Sequence, residues 1–260
     1  MEVSMKKTIV LIMCCVASAG ALSAFETTKT LNLPAQGVLR LDIRAGAGSL
    51  AVTGREGLAA IEVKAEVVAP DVRDKDMEEY IRDRVELTLE KRGDVAVLVG
   101  RIRDNGRLFH FGENARIDLT VTVPKTMALD IDDGSGGMVV EDLAAAVRIE
   151  DGSGAIRVVR VAGNVRIDDG SGEVVVERVE GNLEIDDGSG GVEISDVTGD
   201  VTIDDGSGEV RVRRVGGTVT VDDGSGGIDI ADVEKDVRLI NTGSGSVDVS
   251  AVKGRVIRSK

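Results

Sequence analysis

From Met138 to Val256 the apolar residues fall into five columns that return every eighteen residues. The first column is Met138, Ile156, Val174, Val192, Val210, Ile228 and Val247; the second, two residues on, is Val140, Val158, Val176, Ile194, Val212, Ile230 and Val249. The third opens with Leu143, Val161 and Val179, the fourth with Val147, Val165 and Leu183, and the fifth with Ile149, Ile167 and Ile185. Residues two apart share one face of a strand. Columns one and two therefore predict one short half-buried strand per repeat, and columns four and five a second. Valine and isoleucine suit both, because branched side chains are stiff and pack well on a pleated surface. A strict period of this length predicts a solenoid, in which each repeat buries its apolar side only against its neighbours. The expected fold is all-β: a parallel β-solenoid, or single-stranded β-helix, of seven 18-residue turns, about 34 Å long at the usual strand spacing.

Between the strands lie two kinds of corner. One carries Gly-Ser-Gly, with serines at 135, 153, 171, 189, 207, 225 and 244, so that only the last spacing is nineteen. The other carries Gly163, Gly181, Gly199, Gly217 and Gly254, often followed by Asn or Asp, and is expected to use the left-handed backbone that Gly and Asn tolerate. An antiparallel meander with Asp-Gly hairpins is the competing arrangement. The corners differ, so the repeat is eighteen and not nine, which favours stacked turns.

Ahead of the array, Val38 to Gly54 reads as a degenerate turn, with Leu41, Ile43, Leu50 and Val52 in the apolar places. The charged stretch 70–84 has Met77, Tyr80 and Ile81 at helical spacing, and 85–89, 95–99 and 117–123 read as strands, with a turn at Asn105-Gly106. Together they predict an insert that caps the open N-terminal end, since a bare solenoid end is a sheet edge.

Met5-Lys6-Lys7, an apolar run from Thr8 and a small-residue end before Phe25 have the order of a secretory signal peptide, too short for a membrane span. The domain plan is thus 1–24 signal peptide, 25–125 first turn and capping insert, and 126–260 solenoid. Cys14 and Cys15 both lie in the signal segment, so the exported chain is expected to carry no disulfide, and its location is periplasmic or extracellular. Loss of Glu2, Lys6 and Lys7 takes the net charge from −14 to −15. So acidic a surface repels nucleic acid and anionic lipid. With no Trp, one Tyr and three Phe, the chain is also poor in the rings on which sugar grooves and protein hot spots depend.

Six of the seven Gly-Ser-Gly corners follow a pair of acids, giving the columns Asp132, Glu150, Asp168, Asp186, Asp204, Asp222 and Asp133, Asp151, Asp169, Asp187, Asp205, Asp223. Like charges in line need an offset. The structural explanation is that each second aspartate turns inward and accepts backbone N–H bonds from its own corner, with the serines forming a hydroxyl ladder. The functional alternative is calcium, held by carboxylates and carbonyls of the tight turns, with Asp168, Asp169, Asp186, Asp187, Asp204, Asp205, Asp222 and Asp223 as candidate ligands. Calcium-binding roll repeats, however, place their aspartate after the glycines. Catalysis is not expected: the one histidine, His110, cannot serve seven equivalent serines, and identical repeated carboxylate pairs do not resemble the single pair of a glycosidase.

Ile43 to Val52 (IRAGAGSLAV), the Ile61-Glu62-Val63 strand, Val121-Thr122-Val123-Pro124 and the tandem Gly-Ser-Gly turns resemble the bacterial putative-adhesin β-strand-repeat family, a domain of unknown function. The resemblance covers nearly all of the exported chain. It implies a β-solenoid at the bacterial envelope without known catalytic residues. The expected function is therefore an exported non-enzymatic scaffold, an adhesin or envelope interaction protein with an unidentified envelope or protein partner and no cofactor. The alternatives are a calcium-stabilised surface module and a carbohydrate-active β-helix enzyme.

Overall fold

Strands that alternate inward valine with outward polar residues can close a core only if a second sheet faces the first, and the turns build that pair. The protein is described by a computed structural model covering residues 11–12, 26–70, 72–103 and 114–259. In each repeat a strand such as Gly190–Val197 lies in a 12-stranded sheet, and the next, such as Val201–Asp205, lies in an 11-stranded sheet facing it. Successive turns pair in parallel and in register: Val174, Val192 and Val210 are neighbours, as are Val176, Ile194 and Val212. All five columns are sealed from Met138 to Leu239, each side chain at most 2 % exposed. The stacked solenoid is the fold, and the antiparallel meander is not.

Columns two and three are three residues apart, which breaks the alternation of a strand, and the backbone shows how. Asp142, Arg160, Arg178, Asp196, Arg214, Asp232 and Ala251 all have positive φ, between 49° and 62°. Each inserts one outward residue, so that Val140 and Leu143 both point inward around Glu141 and Asp142. The left-handed residue of this corner is thus a charged side chain in six of the seven turns, and not the glycine that most turns carry three positions later. Gly181 has a different duty: a Cβ there would lie 2.5 Å from the carbonyl oxygen of Gly163 in the turn below, so the glycine permits close stacking. Beside it runs a side-chain spine in which Asn164 Oδ1 accepts from Asn182 N (2.9 Å), Asn182 Oδ1 from Asp200 N (3.0 Å) and Asp200 Oδ1 from Thr218 N (2.8 Å). The nineteenth residue of the last spacing is a bulge opposite Val221 and Asp222, which leaves Ile240 half exposed.

Arg40–Ala45 and Leu50–Arg55 form a turn stacked directly on the array, with Leu41 beside Leu129 and Val52 beside Val140. The next turn outward comes from later in the chain. Val95–Ile102 pairs in parallel with Arg40–Ala45, and Arg116–Pro124 with Leu50–Arg55. The segment therefore adds a further turn to the solenoid. Its corner is a long connection, which hides it from any reading that relies on the eighteen-residue period. Beyond it, Glu26–Pro34 and Ala60–Val68 extend the 12-stranded sheet antiparallel, and Val85–Arg92 does the same for the other sheet. A short helix, Met77–Arg84, packs Met77 and Tyr80 against Ala69 and Ala115. Leu11 and Ile12, inside the expected signal segment, pair with Leu31 and Thr30 on the outer edge. Cys14, Cys15 and Asn105-Gly106 lie outside the described residues. Among the described residues no helix is long and apolar enough to cross a membrane.

Candidate functional site

The acid pairs end the short strands of the 11-stranded sheet, as in Leu183–Asp187. Consecutive strand residues point to opposite faces, so the two columns separate. Asp132, Glu150, Asp168, Asp186 and Asp204 are exposed on the outer face, with Asp222 half-buried. Asp133, Asp151, Asp169, Asp187, Asp205 and Asp223 face inward and are between 0 and 6 % exposed. They are direct neighbours from strand to strand, one inner acid above the next.

The inward turn is present at all six corners and the cap at three of them. Asp133 Oδ1 accepts from Gly134 N (3.0 Å), Asp169 Oδ1 from Ser171 N (3.2 Å) and Asp205 Oδ1 from Ser207 N (3.1 Å). The serines are linked from turn to turn by backbone and not by a hydroxyl ladder: Gly154 N donates to Ser171 O (2.9 Å) and Gly172 N to Ser189 O (3.0 Å). Capping engages one oxygen of each of these three carboxyls. The second oxygens of Asp133, Asp169 and Asp205 have no hydrogen-bond partner, nor has either oxygen of Asp151, Asp187 or Asp223.

This environment penalises charge. Burial, and then the neighbouring carboxyl of Asp151, push Asp133 up to about 7. Burial, with Asp151 and Asp187 on either side, takes Asp169 to about 6, and burial with Asp187 and Asp223 does the same for Asp205. Burial also raises Asp151, Asp187 and Asp223, whose corner N–H groups act in the opposite direction without meeting hydrogen-bond geometry.

Of the eight candidate ligands, Asp168, Asp186, Asp204 and Asp222 are outward and Asp169, Asp187, Asp205 and Asp223 inward. The two acids of a pair therefore diverge and do not chelate one ion. Among the described residues no three His, Cys, Asp or Glu side chains converge in the manner of a metal site. His110 lies outside the described residues, so its distance from the serines is not part of the geometry.

The left-handed corner carries the other charged column. Arg160 binds Asp142 through Nε (2.5 Å) and a terminal nitrogen (2.8 Å), and Glu141 at 2.7 Å. Arg214 binds Asp196 in the same forked way, at 2.6 and 2.9 Å. These guanidinium bonds hold Asp142 and Asp196 below the usual carboxylate range. Down the turns this column reads Asp142, Arg160, Arg178, Asp196, Arg214 and Asp232, so its signs largely alternate and neighbours attract. Its left-handed backbone was missed, although the three-residue step between columns two and three was the available signal.

The likeness to known proteins extends over this architecture. A "putative adhesin" from Parabacteroides distasonis ATCC 8503 is similar over 91 % of this chain and 98 % of its own, with 15 % identity and a TM-score of 0.53. Another, from Bacteroides fragilis NCTC 9343, covers the same shares at 12 % identity with a TM-score of 0.47. No curated protein matches the sequence significantly. Residues 40–256, which run from the first stacked turn to the last, match the Toastrack DUF4097 family, and the chain belongs to that family.

Proposed function

We propose that the protein is exported and acts as a non-enzymatic scaffold at the bacterial envelope, presenting flat mixed-charge faces to an envelope component or another protein. The observation that carries this reading is the division of its repeated polar groups. The inner acids are sealed, so the surface offered to a partner is the outward side of two flat, in-register sheets. On the 11-stranded face a groove is lined by Arg40, Asp130, Arg148, Arg166, Glu184 and Asp200, in which Arg148 pairs with Glu150 and Arg166 with Glu184. On the other face Arg157 pairs with Glu177 at 2.6 Å, and Arg211 with Glu209. Exposed pairs of this kind contribute roughly 0–1 kcal/mol each. They can therefore be exchanged for a partner's charges at small cost, which suits docking along a rod. The names of the similar structures support the reading.

The test is retention of the purified chain from Phe25 onward on a bacterial envelope preparation. Reversing charge on one face (Arg148→Glu with Arg166→Glu, or Arg157→Glu with Arg211→Glu) is expected to reduce retention at least about tenfold, as rim-charge changes weaken steered association. Ser189→Ala with Ser207→Ala is expected to leave it unchanged. Retention indifferent to both reversals, or lost in the serine variant, would contradict docking by the faces.

A further inference from the structure

The inner column holds six carboxyls that the cap does not satisfy. They stand in register on adjacent parallel strands, from Asp133 to Asp223. The column ends in uncharged residues: Ala45 follows Arg44, the neighbour of Asp132, and Thr242 is the neighbour of Asp223. Each acid is at least nine-tenths buried and keeps at least one oxygen without a partner. The charged groups around Asp187 are Asp169 and Asp205 on the neighbouring strands and Asp186 beside it. Across the core, the inward residues after the corners are apolar, among them Val174, Val192 and Val210. Six buried charges in line, with no cation against them, are not a stable arrangement.

A positive charge must therefore enter the column, and the geometry limits its kind. Calcium takes six to eight oxygen ligands, whereas the two stacked aspartates on either side of a gap have three partnerless oxygens between them. A proton needs only two. In-register carboxyls stand about 4.8 Å apart, and a carboxyl group spans about half that rise. Aligned along the stack, neighbouring oxygens come within the roughly 2.6 Å of a charge-assisted O–H···O bond, the same economy by which amide side chains form ladders along stacked strands.

We propose that the inner aspartates form a proton-binding ladder in which carboxyl and carboxylate alternate from turn to turn, each neutral acid donating its O–H to the unpartnered oxygen of the next. Alternation removes every adjacent like-charge contact with half the sites protonated. The folded rod then holds protons that the unfolded chain, with aspartates near 3.9, has released. Stability must therefore be highest in mild acid and must fall as pH rises from about 4 through the range of about 6 to 7 to which burial raises the inner acids Asp133, Asp169 and Asp205. Each acid moved from about 4 to about 6 shifts the folding equilibrium about 100-fold across that window. Surface carboxylates held low by arginine, such as Asp142 and Asp196, act in the opposite sense, but only below their ordinary range.

The experiment melts the chain from Phe25 onward between pH 4.5 and 8.5, as wild type, Asp187→Asn and Asp186→Asn. The wild-type melting temperature is expected to fall across this range. Asp187→Asn, which cannot ionise and donates permanently to its neighbours, is expected to exceed wild type at pH 8 and to flatten the slope; Asp186→Asn should keep the wild-type slope. A second readout needs no variant: refolding in weakly buffered solution at pH 5.5 should take up protons. A wild-type melting temperature that is flat or rising between pH 5 and 8, or refolding without proton uptake, would overturn the ladder. So would a millimolar-calcium stabilisation at pH 8 that Asp187→Asn removes, since the column would then hold metal.

Discussion

Ile194→Asp is expected to open the middle of the rod. Ile194 is 0 % exposed and lies between Val176 and Val212, which are equally buried. A carboxylate there has no cation and no amide to accept from, unlike the inner aspartates, whose corner supplies N–H groups. Burying it costs several kcal/mol, a large share of the 5–15 kcal/mol that typical domains possess. Stacked turns have nearest-neighbour energetics, so the loss falls on two interfaces at once. Thermal denaturation should show either a collapse of the main transition or its division into two. A melting curve identical to wild type would mean that the second column is not internal.

Removing eighteen residues, Gly172 to Ser189, should leave a folded protein, whereas removing the nine from Gly172 to Glu180 should not. The first deletion joins Ser171 to Gly190, which stands in register beside Gly172, so every column and both corners close again. Its cost is one turn, and the transition should stay cooperative at a modestly lower temperature. The second deletion is instructive because four columns survive it. Columns one and four, and two and five, are nine residues apart, so Leu183 and Ile185 would fall in the places of Val174 and Val176. The corners do not survive. Gly188 would fall in the place of Val179 of column three, and at the junction the first shifted Gly-Ser-Gly corner would stack on the left-handed corner of Arg160 and the left-handed Asp196 on an unshifted Gly-Ser-Gly corner. Far-ultraviolet circular dichroism and melting of both proteins decide the matter. Equal tolerance would make the unit nine residues and contradict the two-corner turn.

These deletions mark the line between what the residues disclosed and what they hid. The five columns, their neighbours across turns and the inward aspartates follow from two rules, alternation within a turn and equivalence at eighteen between turns. The left-handed Asp142, Arg160 and Arg178 were hidden because arginine and aspartate carry no strong backbone signature; only the odd step between columns reveals them. The role of Gly181 was misjudged for a related reason: equivalence at eighteen makes Gly163 its neighbour, but only the structure shows how closely the two backbones approach. The turn formed by Val95–Ile102 and Arg116–Pro124 was not recognised as a turn because its long corner breaks the period, and because it stacks outside residues that precede it in the chain. The partnerless oxygens of the inner acids could not be read at all, since satisfaction of a hydrogen bond is a property of three-dimensional geometry.

The central claim is that equivalent residues of successive repeats stand one strand apart. Arg148 and Arg238 are both exposed on the 11-stranded face and are separated by five turns through Arg166, Glu184, Thr202 and Thr220. Spin labels on Arg148→Cys and Arg238→Cys, in a chain beginning at Phe25, measure that separation directly. Stacked turns predict a backbone distance of about 24 Å, five strand spacings of about 4.8 Å. A distance near 48 Å, two strand spacings per repeat, would show hairpins laid side by side in one sheet and would contradict the solenoid.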